Sequence, residues 1–292
     1  MTFRIIHTTR YGYNESVTLC HNEARLHPRS GLRQHCATHF VRIEPTPAHR
    51  QERLDYFGNP VLYFALQEPH EGLRVTADSI VQIIETPLPD LAASPPWENV
   101  RAWLTETFTD AAIEARELTL DSPLVPSGPD LALYAAPSFA PGRPLLDAVY
   151  DLNRRIHSEF VYDTHLTTVS TPVSDALNLR HGVCQDFAHV AIGCIRAMGL
   201  PARYVSGYVE SVPADGQPRL RGADASHAWF AVFVPDLGWI DFDPTNDTIV
   251  TTQHVTTAWG RDYADVAPLK GVVFGGGSHT LEVEVDVMRE SL

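Results

Sequence analysis

The sequence predicts an α+β protein in which a β-rich N-terminal region precedes a core of helices and antiparallel strands. Residues 1–85 contain short β-prone segments and turns, without a long apolar period of 3.6 residues. Beyond residue 145, amphipathic helical patterns are followed by strands, two of which are joined by a short loop. Strands and helices that occupy separate stretches of a chain are typical of α+β folds.

The composition is that of a globular protein with more than one domain. The chain has 292 residues, of which 44% are apolar and 20% are charged. Its 22 basic and 36 acidic residues give a net charge of −14, and no run rich in arginine or lysine occurs. This balance excludes nucleic acid and an anionic membrane as expected partners. The start of the chain lacks the pattern of a signal peptide, so we expect a cytoplasmic protein.

The cysteines and histidines do not indicate a disulfide framework or a metal site. The cysteines are Cys20, Cys36, Cys184 and Cys194. Their low number fits a reducing compartment. Neither the cysteine pair at 20 and 36 nor the pair His35 and His39 has the spacing of known metal ligands. We therefore expect no metal and no cofactor.

The first domain, residues 1–85, is predicted to be an antiparallel β-sandwich. Residues 61–66 form an apolar β-prone run that follows a turn at Gly58 and Asn59. Glycine at position 58 can take the positive φ that a tight turn requires, which predicts a hairpin here. Residues 75–84 predict a further strand.

Residues 86–145 form a proline-rich connection that contains helices. Ten of the 22 prolines fall in this segment. Between them, Trp97, Val100, Leu104 and Phe108 recur at helical spacing and define one apolar face. Because two large aromatic residues on one face need cover, we expect the connection to pack down and join the domains rigidly.

The core, residues 146–292, begins with a helical pattern and contains a second helix that starts at Cys184. Ser174 is the predicted N-cap of a short helix between them, and Gly182 suits the position that ends it. Strands are predicted at 202–209, 227–234 and 239–243, and a half-exposed strand is predicted at 281–287.

Cys184 is a candidate nucleophile because it starts a helix. The unpaired N–H groups and partial positive charge of a helix start favour a thiolate and can hold an oxyanion. Asp186 in the first turn partly opposes the thiolate. Taken alone, a cysteine is more often a small buried residue, so the assignment depends on a base and on a group that orients the base.

The predicted hairpin supplies both groups. His227 heads its first strand and Asp243 ends its second, so the two residues lie opposite each other. Histidine acts as base and acid while aspartate fixes its tautomer. Asp241 is a rival because residues two apart share a strand face. The position before Pro244 favours Asp243.

The segments GVCQDFAHVAIGCIRAMGLPARYVSGY and SHAWFAVFVPDLGWIDFDPTND resemble the transglutaminase-like superfamily. NEARLHPRSGLRQ, DYFGNPVLYF and PHEGLRV resemble the N-terminal β-domain of its bacterial members, and WGRDYADVAPLKGVVFGGG resembles their C-terminal part. The resemblance implies a papain-like core, in which the cysteine-bearing helix packs on an antiparallel sheet. It implies Cys184, His227 and Asp243 as the catalytic triad. Animal crosslinking members carry tryptophan after the cysteine, whereas this chain has Gln185, so calcium-regulated crosslinking is not implied.

These observations predict an enzyme that acts on a peptide, protein or other amide through a thioester on Cys184. Hydrolysis by a cysteine peptidase or amidase is favoured, and transfer of the acyl group to an amine is the alternative. A non-catalytic binding scaffold is a third hypothesis. Gln185 and Tyr208 are candidates for the wall of the cleft, although a core position suits Tyr204 and Tyr208 equally well. The sequence leaves the oligomeric state open.

Overall fold

A computed structural model of the chain describes residues 1–210 and 225–290. The N-terminal region forms β1 (Thr2–Ala24), β2 (Gln34–Glu44), β3 (His49–Leu54), β4 (Pro60–Leu66) and β5 (His70–Ile83). The connection and the start of the core form α1 (Trp97–Glu106), α2 (Asp110–Glu117), α3 (Pro129–Ala135), α4 (Leu145–Glu159), β6 (Val161–Tyr162), α5 (Val173–Leu179), β7 (His181–Gly182) and α6 (Cys184–Ala197). The remaining elements are β8 (Ala202–Val209), β9 (His227–Val234), β10 (Gly238–Asp243), β11 (Thr248–Ile249), β12 (His254–Gly260), α7 (Tyr263–Val266), β13 (Leu269–Gly275) and β14 (His279–Glu290).

The N-terminal antiparallel β-domain is confirmed; in place of the two sheets of the predicted sandwich, its strands belong to one sheet of seven strands. The long strand β1 pairs with β5 and β4 on one side and with β14 and β13 on the other. The predicted division assigned residues 146–292 to the core, whereas β13 and β14 complete the N-terminal sheet. Pairing between the two ends of a chain leaves no local signal, since each strand alone only shows alternation.

The predicted core is also confirmed, because the cysteine-bearing helix α6 packs on an antiparallel sheet. This sheet has the strand order β11-β10-β9-β8-β12. The apolar face of α6, including Phe187 and Ala191, packs with Tyr204 of β8 and with Phe230 and Val232 of β9 in one buried cluster. Helices α3, α4 and α5 cover the other sides of α6, so nearly all of its residues are buried. This packing holds the first turn of α6 rigidly.

Two predicted helix boundaries differ from the structure. Helix α1 ends before Phe108, which is 73% exposed, because the Thr109 side chain accepts a hydrogen bond from Ala112 N and starts α2. Helix α5 starts after Pro172, so Ser174 lies inside it, and Arg180 rather than Gly182 ends it with a φ of 56°. Of the described helices, none is both long and apolar enough to cross a membrane.

The N-terminal sheet docks on strand β12 of the core. The side chain of Asn59 donates to Trp259 O at 2.8 Å and accepts from Trp259 N at 3.0 Å. Gln34 makes the same pair of bonds with Thr256, at 2.7 Å to its carbonyl and 2.8 Å from its N–H. The Arg29 guanidinium lies 3.4 Å above the centre of the Trp259 ring. Side chains of the N-terminal domain therefore bond to backbone groups of β12, at the outer edge of the core sheet.

The α1 face offers a matched test of the packed connection. Leu104→Ala removes a side chain that is 3% exposed and should lower the free energy of unfolding by about 2–5 kcal/mol. Phe108→Ala should change it by less than about 1 kcal/mol, because Phe108 is exposed and loses only a surface contact with Arg116. Chemical denaturation measures both. Equal losses would contradict the assigned end of α1.

Candidate active site

The start of helix α6 is held by Asp186. Its Oδ2 accepts hydrogen bonds from Val183 N at 2.8 Å and from Thr167 Oγ1 at 2.7 Å. A Cβ on Gly182 would lie 2.5 Å from this oxygen, so position 182 requires glycine. Burial raises the pKa of Asp186, and these two hydrogen bonds only partly oppose the rise. Asp186 therefore ties the start of α6 to the segment that carries Thr167.

Cys184 is the first residue of α6, and 9% of it is exposed. The backbone N–H groups of Cys184 and Gln185 lie in the first turn, where no intrahelical carbonyl can accept from them. Donors in this position can bind the negative oxygen that forms when a thiolate attacks a carbonyl. The helix start thus combines a thiol with candidate donors for an oxyanion hole.

The β9–β10 hairpin brings His227 and Asp243 together. His227 is the first residue of β9 and Asp243 is the last residue of β10. His227 Nε2 lies 2.8 Å from Asp243 Oδ2, and neither side chain has any exposed surface. The imidazole is therefore oriented by Asp243.

The charges at this pair favour an imidazolium. Burial by itself would lower the pKa of His227, but the charge and hydrogen bond of Asp243, together with those of Cys184, raise it above its usual value. Burial would raise the pKa of Asp243, yet His227 and then His254 hold it well below its usual range. Because Nε2 is bonded to Asp243, Nδ1 of His227 is left for the thiol. It has no other hydrogen-bond partner among the described residues.

Asp241 has a different partner. Its Oδ2 lies 3.2 Å from Nη1 of Arg33, which comes from the N-terminal domain. Asp241 therefore contributes to domain docking, and the choice of Asp243 over Asp241 as the partner of His227 agrees with the geometry.

The Asp243 carboxylate accepts hydrogen bonds on both oxygens. Oδ1 accepts from the backbone N–H groups of Thr245 at 2.9 Å and Asn246 at 3.3 Å. Oδ2 accepts from the Asn246 side chain at 2.7 Å and from His254 Nε2 at 2.9 Å, besides His227. A buried carboxylate with so many donors stays ionised and fixed in orientation.

His254 is a further residue of the site, and the sequence alone does not single it out. This residue starts β12 and lies 11 residues after Asp243. A histidine at the head of a β-prone segment, HVTTAWG, was the available signal. Nothing local shows that this segment pairs with β8 and so brings its first residue to the hairpin end.

His227, Asp243 and His254 also form the one group of described residues that could hold a metal ion. One ligand atom from each lies within 4.8 Å of the others. Both histidine Nε2 atoms already bond to Asp243 Oδ2, at 2.8 and 2.9 Å. Hydrogen bonds alone therefore account for this arrangement.

The two candidates for the cleft wall have other roles. Gln185 is buried, and its Nε2 donates to Val169 O at 3.1 Å, so it anchors the segment before α5. Tyr208 is 2% exposed and its hydroxyl lies 3.0 Å from His7 Nδ1. It packs with Phe3 and Ile5 between the core and the N-terminal sheet. Of the two positions that the sequence left open for Tyr208, the structure shows the buried one, because β1 covers this end of β8, which no local pattern reveals.

Comparisons with known proteins agree with this architecture. Residues 3–82 match the bacterial transglutaminase-like N-terminal region, and residues 134–244 match the transglutaminase-like superfamily. An uncharacterized protein of Mycobacterium tuberculosis is 41% identical over 98% of this chain and 92% of its own length. A protein-glutamine gamma-glutamyltransferase of Pseudomonas aeruginosa is 33% identical over 61% of this chain and 28% of its own length.

A solved structure shares the whole fold. It is a candidate cysteine protease from Cytophaga hutchinsonii, superimposed with a TM-score of 0.76 and 21% identity. The match covers 100% of this chain and 92% of the other. The N-terminal sheet and the core therefore occur together in another bacterial protein.

Alkylation by iodoacetamide tests the reactivity of Cys184. We expect Cys184 to react faster at pH 6 than Cys36, which is more exposed but whose thiol pKa is raised by burial. His227→Ala should slow the reaction of Cys184 about tenfold or more and leave Cys36 unchanged. Mass spectrometry of the cysteine-containing peptides gives both rates. A Cys184 rate that does not depend on residue 227 would contradict the pairing.

Proposed function

The chain belongs to the transglutaminase-like superfamily, and we propose that it is a thiol enzyme that attacks an amide or peptide carbonyl. The observation that carries the proposal is the 2.8 Å hydrogen bond between His227 Nε2 and Asp243 Oδ2. It orients a fully buried imidazole and leaves its Nδ1 for Cys184. An oriented base beside a thiol at a helix start is the requirement for nucleophilic catalysis by cysteine.

The residues have the following roles in this proposal. His227 takes the thiol proton, and the Cys184 sulfur forms a bond to the carbonyl carbon. The N–H groups of Cys184 and Gln185 bind the oxyanion. His227 then gives its proton to the leaving nitrogen as the C–N bond breaks, which yields a thioester and a free amine. Asp243 stabilises the imidazolium and stays ionised throughout.

Water is the acyl acceptor that we favour. His227 removes a proton from the water, the new C–O bond forms, and the C–S bond of the thioester breaks, which releases a carboxylic acid. Cys184 is only 9% exposed, and a small nucleophile reaches such a site most readily. The enzyme would then be a cysteine peptidase or amidase.

Transfer to an amine is the second candidate. The similarity to a protein-glutamine gamma-glutamyltransferase of P. aeruginosa, which extends over 61% of this chain, favours it. The same triad serves both reactions, because only the acceptor differs in the second step.

A non-catalytic scaffold is less consistent with the site. Removing the charged groups of Asp243 and His227 from water costs free energy, and a binding module gains nothing from burying them beside a thiol. We propose a peptide or protein amide as substrate, with no nucleic acid or membrane partner. The free state of all four cysteines supports a reducing, cytoplasmic location.

Matched substitutions test the triad. Cys184→Ala and His227→Ala should abolish amide turnover, and Asp243→Asn should lower it by roughly 10²–10⁴-fold, because the tautomer of His227 becomes wrong. Asp241→Asn is the control: it keeps a similar side chain on the same strand and should leave turnover within a few fold. Circular dichroism checks that each variant folds. Full turnover in Cys184→Ala would refute thiol catalysis.

The choice of acceptor is tested with a panel of peptide amides, with and without an added isotopically labelled primary amine. Hydrolysis predicts release of acid at a rate that the amine does not change. Amine transfer predicts a labelled amide product that increases with amine concentration. Mass spectrometry separates the products, and Cys184→Ala gives the background. Labelled product as the main species would overturn hydrolysis but keep the thiol mechanism.

A further inference from the structure

We infer that His254 is a positioning residue that, as a neutral imidazole, fixes the Asp243 carboxylate by a hydrogen bond and moderates the attraction of that carboxylate for the proton of His227. This inference rests on the proposed function and adds a fourth residue to its machinery. His254 touches neither substrate nor thiol in this account and acts through Asp243.

The geometry places both histidines on the same carboxylate oxygen. The Nε2 atoms of His227 and His254 lie 2.8 and 2.9 Å from Asp243 Oδ2. The side chain of His254 is 2% exposed. The Trp229 ring lies against both imidazoles, with centroid distances of 6.0 Å to His227 and 5.2 Å to His254. The carboxylate is therefore held from two directions.

Charge repulsion allows only one of the two histidines to be cationic. Burial lowers the pKa of His254, and the positive charge of His227 lowers it further. The hydrogen bond and charge of Asp243 act in the opposite direction, and Asp241 does so weakly. The pKa of His254 is therefore below its usual value, whereas the pKa of His227 is above its usual value. His254 Nδ1 is buried and has no hydrogen-bond partner in the described parts of the chain. A proton there would bury an unsatisfied donor, so the neutral tautomer with hydrogen on Nε2 is favoured.

The N-terminal domain braces the segment that carries His254. Arg33 donates to the carbonyls of Val250 and Thr251, just before β12. Gln34 and Asn59 bond the backbone of β12 further along, as described above. The position of His254, and through it that of Asp243, therefore depends on docking of the N-terminal sheet.

Loss of His254 has a predictable electrostatic sign. Without the hydrogen bond from His254, the negative charge on Asp243 is less well stabilised, so the carboxylate attracts the proton of His227 more strongly. The groups that face His227 in the described structure are Asp243, Cys184 and His254, and those that face His254 are His227, Asp243 and Asp241. The pH at which His227 loses its proton should therefore rise by roughly one unit, as expected for loss of one charge-assisted hydrogen bond.

The test uses iodoacetamide, which needs no known substrate. The alkylation rate of Cys184 is measured from pH 5 to 11 for His254→Phe, His254→Gln and the unaltered protein. In His254→Phe the upper inflection, where His227 deprotonates, should move upward by roughly one pH unit. His254→Gln keeps a side-chain N–H donor and should restore much of the original profile. His70→Phe replaces another buried histidine, inside the N-terminal sheet where it contacts Cys20 and Tyr13, and should not move the inflection.

Turnover of an amide substrate provides the second readout. His254→Phe should lower kcat about 10–100-fold with KM changed by less than about twofold, since only the orientation of the base is affected. An unmoved inflection in both His254 variants, with unchanged kcat, would overturn the inference. If His227→Ala also left alkylation and turnover unchanged, the proposed function itself would fail, so the two failures are distinguishable. Should His254→Phe fail to fold, His254→Leu takes its place, because leucine also lacks a hydrogen-bond donor: an upward shift of the inflection supports the inference, and an unmoved inflection overturns it.

Discussion

The buried carboxylate of Asp243 is the interaction on which the site depends. It has no exposed surface, and a charge in that position is stable only if its oxygens are fully hydrogen-bonded. The turn after β10 supplies the backbone N–H groups of Thr245 and Asn246, and the two histidines supply side-chain donors. Satisfying the carboxylate therefore fixes the end of the hairpin, the ring of His227 and the start of β12 together.

Through this constraint the N-terminal domain supports the segment of the core that carries His254. The domain contributes none of the catalytic residues, yet Arg33 binds Asp241 and the segment before β12. Gln34 and Asn59 bind the backbone of β12 itself. The domain thus completes the edge of the core sheet, and β13 and β14 return from the core to pair, one after the other, along the same side of β1. Each part of the chain stabilises the other.

The positions of the proposed catalytic residues could be predicted because they follow from local structure. Cys184 starts a helix with clear apolar spacing, and His227 and Asp243 mark the two ends of a short hairpin. His254 and Tyr208 could not be placed in this way. The residues around them belong to strands that pair over long separations in the chain. The apolar pattern of a strand does not identify the strand with which it pairs.

Long-range strand pairing also explains why the domain boundary was predicted incorrectly. The alternation at residues 281–287 correctly predicted a half-exposed strand, but its partner, β1, lies at the other end of the chain. At Phe108 the error was local: Thr109 caps α2 and interrupts a periodicity that continues past the end of α1. Packing and capping, rather than periodicity, decide such positions.

The proposed mechanism requires that Cys184 carry a covalent acyl intermediate. Rapid acid quenching of the enzyme with a peptide amide, followed by mass spectrometry, detects such an intermediate. We expect an adduct with the mass of the acyl group on the peptide that contains Cys184, labile to hydroxylamine and absent in Cys184→Ala. Amide cleavage that proceeds equally fast in Cys184→Ala, with no adduct on the unaltered enzyme, would contradict it.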